Sequence, residues 1–197
     1  MCAWSVKPFR VAAVTVLLLL LTVNPTFGET PSAPSPFIYV LNARGNSISV
    51  IDWRTDEVVG VMAVGKRPHW MAMTSDGKRG YVVHHESSDV FIVDLTTYKT
   101  LGMVRVGQKP HWVEVLPGEH HAYVSNRHGT TISVIDLATN LVVKSIQTGK
   151  GPEHILFSRD GRHAYVPNME SDTVSVIDTQ RHSVVETIPV GRGPIST

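Results

Sequence analysis

The chain has 197 residues, 42% of them apolar and 18% charged, with a formal charge of +1. That is about one domain's length, too apolar for a disordered chain and too poor in charge for a long coiled coil. A charge so near zero gives no global pull toward nucleic acid or membrane, and the single cysteine, Cys2, excludes a disulfide framework and a cysteine-based zinc site.

The first element in chain order is a leader. Lys7 and Arg10 form a basic start, residues 11–23 carry no charge, and Thr26-Phe27-Gly28 puts small residues at the −3 and −1 positions before Glu29. This is the layout of a secretory signal peptide over residues 1–28. The uncharged run of 13 residues falls short of the ~20 needed to span a bilayer. Cleavage removes Lys7, Arg10 and Cys2, leaving 16 basic and 17 acidic residues and a net charge of −1. The mature chain then has no transmembrane span, no thiol and no cysteine nucleophile, and its expected place is the periplasm, the cell surface or the medium. Residues 29–36, rich in Pro and Ser, read as a flexible lead into the fold.

Beyond the leader the sequence repeats. Tyr39, Tyr81, Tyr123 and Tyr165 are spaced by 42, as are Asp52, Asp94, Asp136 and Asp178. Gly65, Gly107, Gly149 and Gly191 keep the same spacing, and so do Pro68, Pro110, Pro152 and Pro194. Within one period the pattern is all β: strands are predicted over 69–74, 80–84, 89–94 and 100–106. Ser75-Asp76-Gly77 forms the first turn, and Asp160-Gly161 and Pro117-Gly118 mark the same turn in later copies. Four short antiparallel strands in a repeat of this length predict an all-β fold, a β-propeller of four-stranded blades. The third strand of each copy, such as Ile132-Ser133-Val134-Ile135, is apolar or small on both faces, as a sheet stacked between neighbours requires. The aspartate closing each third strand reads as a turn residue that bonds local amides. The blades run over 37–67, which lacks a first strand, then 68–109, 110–151 and 152–193, with 194–197 opening another.

Three motifs carry a resemblance to a known family: Tyr123-Val124-Ser125-Asn126, the run Thr-Val-Ser-Val-Ile-Asp at 173–178, and Ile-Pro-Val-Gly-Arg-Gly-Pro at 188–194. They resemble the YVTN β-propeller repeat. Tyr39-Val40-Leu41-Asn42 and Tyr165-Val166-Pro167-Asn168 keep most of that motif, whereas Tyr81-Val82-Val83-His84 loses the Asn. The resemblance implies an exported bacterial or archaeal propeller, usually of seven blades, so about four blades predict a fragment of a larger ring.

Candidate chemistry concentrates on one face. The loops entering each blade and those joining second to third strands share that face, and carry His69, His84, His85, His111, His128 and His154. Basic residues precede each repeated proline: Lys66 with Arg67, Lys109, Lys150 and Arg192. Lys66, Arg67, Lys109 and Lys150 are candidate anion-binding residues. Histidines from adjacent blades suit zinc, copper or iron. The frame aligns His69 and His111 with Glu153, and puts His154 in line with Trp70 and Trp112, so His69, His111, Glu153 and His154 are the candidate metal ligands. The competing expectation is loop histidines that only hydrogen-bond or face solvent, and adjacent pairs such as His84-His85 are usually surface residues. Trp70 and Trp112 either pack between blades or stack on a ligand.

No phosphate loop, nucleophile elbow, His-Glu zinc motif or cysteine cluster occurs, so no catalytic constellation is expected. The leading expectation is a non-catalytic binding or scaffold module whose loop face takes a protein partner or a small anionic ligand. The alternative is a redox or cofactor-handling protein that holds a metal or a non-covalent haem. That alternative follows from a distant resemblance of the repeats to haem-d1 propellers, without any Cys-x-x-Cys-His attachment. Lactonase-like hydrolysis needs convergent acid and base residues that the sequence does not show.

Overall fold

The computed structural model describes residues 36–118 and 120–196. The signal peptide expected over 1–28, and the lead expected at 29–36 apart from Pro36, lie outside the described residues. The described chain is all β. The first sheet has three strands, β1 (Phe37–Asn42), β2 (Ser47–Asp52) and β3 (Glu57–Ala63). The second is built from β4 (Pro68–Met73), β5 (Arg79–His84), β6 (Asp89–Asp94) and β7 (Lys99–Arg105). The third contains β8 (Pro110–Val115), β9 (His121–Asn126), β10 (Thr131–Asp136) and β11 (Leu141–Gln147). The fourth contains β12 (Leu156–Phe157), β13 (His163–Asn168), β14 (Thr173–Asp178) and β15 (Ser183–Pro189). Within each sheet the strands follow chain order and pair antiparallel, so each repeat is one propeller blade.

The strands form where the period-2 pattern and the turn chemistry agree. Asp52, Asp94, Asp136 and Asp178 each accept backbone N–H bonds from the residues two or three later, for instance from Thr96 (2.8 Å) and Thr97 (3.0 Å) onto Asp94. The next residues of that turn, Asp56, Tyr98, Asn140 and His182, all have positive φ, which closes the hairpin into the outer strand. A bulge recurs at Val50/Ile51, Ile92/Val93, Val134/Ile135 and Val176/Ile177, adding twist to each blade in the same place.

Blades adhere through their faces. Ile48, Val50 and Met62 of the first pack on Val82, Val93 and Leu95 of the second. Tyr81, Val83, Val90 and Ile92 meet Val113, Val124 and Ile135 of the third. Tyr123, Ile132, Val134 and Ile146 meet Ile155, Val166 and Ile177 of the fourth. Alternate residues of one strand thus serve opposite neighbours: Val82 faces one blade, while Tyr81 and Val83 face the other.

Two columns fix the loop face. Asn126 Nδ2 donates to Thr131 Oγ1 and Ser133 Oγ, both at 3.0 Å, and Asn168 repeats this with Thr173 and Ser175. The glycine column lies against these amides. A Cβ on Gly107 would sit 2.4 Å from Asn126 Cγ, and one on Gly149 2.8 Å from Asn168 Cγ. In the second blade His84 replaces the Asn, and Phe91 stands where Ser133 and Ser175 stand; their rings meet edge-on at 4.6 Å. His84 is therefore the fully buried last residue of β5, beside the loop, a correction to the surface position expected of a His84-His85 pair.

Candidate metal centre

The site grows from a slip in strand register. β4 pairs with β5 through Pro68 and then Trp70, and β8 pairs with β9 through Pro110 and then Trp112. His69 and His111 are the skipped residues. A bulge re-aims the side chain of the residue it frees, and both imidazoles turn toward the boundary between the second and third blades. His69 Nε2 lies 3.0 Å from His111 Nε2, with ring centroids 4.4 Å apart. The equivalent residues of adjacent blades are thus within chelating distance.

The third imidazole comes from the turn after β5. His85 N donates to Arg67 O (3.3 Å), which ties that turn to the loop entering the blade. The His85 ring packs 4.4 Å from His69 and 5.2 Å from His111. One ring nitrogen from each of His69, His85 and His111 lies within 4.8 Å of the others. His85 Nε2 is buried with no hydrogen-bond partner. Burial pushes all three rings below the usual imidazole range, His111 to about 3; Arg127 acts in the same direction on each, as do neighbouring histidines on His69 and His111. At neutral pH the cluster is uncharged, the state a metal ligand requires.

Glu153 stands behind this cluster. Its Oε2 is 2.9 Å from His111 Nδ1, on the side of the ring away from His69, and its Oε1 is 2.8 Å from Arg127 Nε. Because His111 is neutral, the first contact is an imidazole beside a carboxylate rather than an ion pair. Both contacts are short but bent, and His111 Nδ1 and Glu153 Oε1 lack a partner of hydrogen-bond geometry. Burial raises the Glu153 carboxyl, and Arg127 opposes that shift.

His154 lies elsewhere. Its ring is 6.5 Å from that of His111 and stacks on Trp112 at 3.9 Å, while Trp112 stacks on Trp70 at 3.7 Å. The three rings form a ladder from β4 and β8 to the segment leading into β12, in the order the alternation predicts. Trp112 and His154, with Glu114 and Phe157, line a cleft of 340 Å³.

The cations divide among several settings. Arg67 pairs with Glu86 at 2.8 Å, and Arg67 and Lys109 both hold positive φ at the position where later blades have Gly151 and Gly193. Arg67, Lys109 and Arg127 contribute to the lowering at His85, so their charges lie near the imidazoles. Lys66 is exposed in the loop entering the second blade. Lys150 lines a separate cleft of 320 Å³ with His128 and Glu170.

His85 was read from the sequence as one of the loop histidines and not as a ligand, and Arg127 was not singled out, yet they are one column. His85, Arg127 and Met169 follow the motif residues His84, Asn126 and Asn168, and each donates the same backbone tie, Arg127 N to Lys109 O (3.1 Å) and Met169 N to Gly151 O (2.9 Å). Setting that column beside His69, His111 and Glu153 is the signal that would have found them.

Comparison with known proteins supports the architecture. Residues 112–197 match the YNCE-like beta-propeller family. Hydrazine synthase of Kuenenia stuttgartiensis is 31% identical and superposes with a TM-score of 0.73, covering 78% of this chain and 46% of that one. The dihydro-haem d1 dehydrogenase NirN, solved in complex with DHE, is 18% identical with a TM-score of 0.68, covering 81% of this chain and 37% of its own. The propeller domain of Cps50 (Swd1) from Myceliophteria thermophila is 16% identical with a TM-score of 0.69, covering 82% of this chain and 54% of its own. The chain therefore spans about half the length of these structures, and the two more distant ones establish the fold alone. No curated protein matches the sequence.

Proposed function

We propose that this propeller is an exported metal-binding module, and that its loop face holds one divalent first-row transition ion, copper(II) or zinc(II), between His69, His85 and His111. The observation that carries the reading is the 3.0 Å approach of the His69 and His111 Nε2 atoms with His85 beside them. Three imidazoles around an ion at about 2.0–2.1 Å place their nitrogens roughly 3.3 Å apart in tetrahedral geometry, close to the 3.0 Å between His69 and His111, with His85 inside 4.8 Å. An all-nitrogen donor set without thiolate suits copper(II) and zinc(II) better than calcium or magnesium. Leaving His85 Nε2 buried and unpartnered costs free energy that a bound ion offsets. The rings touch one another, which favours an ion over a haem, since a macrocycle would have to separate them.

Isothermal titration with zinc(II) checks the reading in wild type and in two double variants. Replacing His69 and His111 by Ala removes two ligands, and binding should weaken at least a hundredfold. Replacing His120 and His121 by Ala removes two imidazoles elsewhere and should leave affinity unchanged. Equal binding by all three proteins, or none by wild type, refutes the proposal.

A further inference from the structure

We infer that Glu153, clamped by Arg127, is the positioning residue that sets which nitrogen of His111 faces the ion. The inference rests on the proposed metal reading and deepens it. The 42-residue frame makes Glu153 the successor of His69 and His111, which by itself suggests a third ligand. The structure gives it another place: its Oε2 lies 2.9 Å from Nδ1 of His111, and it is the opposite nitrogen, Nε2, that meets His69. Glu153 is almost fully buried and reaches His111 from behind. A metal-ligating histidine commonly gives its second ring N–H to a carboxylate, which fixes tautomer and orientation and raises the basicity of the ligating nitrogen. The 2.9 Å contact is too bent to count as a hydrogen bond without the ion, but its length and place favour the proton on Nδ1 beside the carboxylate. The Nε2 lone pair then points at the cluster, and His69 Nε2–H is the donor in the 3.0 Å contact when no ion is bound.

Arg127 completes the device. It occupies in the third blade the position His85 holds in the second, so one column supplies a ligand at one blade boundary and a guanidinium at the next. Its Nε is 2.8 Å from the other carboxylate oxygen, and its terminal nitrogen reaches Met169 Sδ at 3.6 Å. The carboxylate is thereby held between two partners in a nearly dry site. The boundary between the third and fourth blades thus carries the support for the three imidazoles between the second and third.

The test uses the full chain, zinc(II) as probe, and three variants: Glu153→Leu, Glu153→Gln and Arg127→Met. The Leu variant removes the acceptor, and affinity should fall tenfold to a hundredfold at unchanged stoichiometry. The Gln variant keeps the volume and an acceptor oxygen and should lie between wild type and Leu. A long-range proton–nitrogen spectrum of the metal-free protein should show His111 protonated at Nδ1 in wild type and at Nε2, or in both forms, in the Leu variant. Arg127→Met should move affinity the same way by a smaller factor. A Leu variant that binds as tightly as wild type overturns the inference, and so does weaker binding with the His111 tautomer unchanged, which marks a purely structural loss. If Leu does not fold, the Gln and Met variants carry the same two readouts. Failure of wild type itself to bind zinc(II) would instead overturn the metal reading.

Discussion

Replacing Gly107 by Ala should be far more damaging than its chemistry suggests. The new Cβ would lie 2.4 Å from Asn126 Cγ and 2.6 Å from Nδ2, and that amide is buried and held by two 3.0 Å hydrogen bonds. The amide has to leave, giving up two bonds of about 1 kcal/mol each. Overpacking in a well-filled region adds about 1–3 kcal/mol, so a loss of roughly 3–5 kcal/mol is expected from the two together. Gly102→Ala is the control, because a Cβ there meets nothing within 4 Å. Both changes alter the unfolded chain alike, so the difference between them reports on the native state. Urea unfolding followed by tryptophan fluorescence measures it. The double variant Gly107→Ala with Asn126→Ala should recover part of the loss, because the smaller side chain makes room, with a coupling of about 1–3 kcal/mol. Indistinguishable midpoints for the Gly102 and Gly107 variants, or strict additivity in the double variant, would refute the packing account of the glycine column.

Burial pushes His84 down to about 4. Its folded value is below its unfolded one, so the associated stability is full above pH 6.5 and is lost as pH falls from there toward 4. His84→Asn, the residue of the other blades, should flatten that slope in thermal melts between pH 7 and 4, and an unchanged slope contradicts the burial. The stacked indoles of Trp70 and Trp112 should give an exciton couplet in circular dichroism that either single Ala replacement abolishes; a couplet surviving both would place the rings apart. Protein recovered after export should begin near Glu29, and exported protein retaining Met1 would overturn the signal-peptide reading.

The repeat made the blades legible because each column answers a local physical demand. Asp94 and its equivalents bond turn amides, Asn126 ties two hydroxyls, and Gly107 leaves room for that amide. Strand bounds came within a residue, as with the predicted 100–106 against Lys99–Arg105. His69 and His111 were legible as a pair, but not the bulge that turns them together, since a one-residue slip leaves no mark in so short a strand. His85 was hidden because a His-His pair in a turn reads as surface, whereas burial of His84 on the Asn column forces its neighbour into the cluster. Glu153 was found by its column as a candidate ligand, but its contact with Nδ1 of His111 was not legible, because a repeat frame reports position along the chain and not which ring nitrogen a carboxylate meets.

The most direct test of the central claim is the electron paramagnetic resonance spectrum of the protein loaded with one equivalent of copper(II). Three imidazoles around one ion predict nitrogen superhyperfine structure from three equivalent-type donors in wild type, reduced to two by His85→Ala. A spectrum of free or surface-bound copper in wild type, or one that His85→Ala leaves unchanged, would contradict the assignment of His69, His85 and His111 as one metal site.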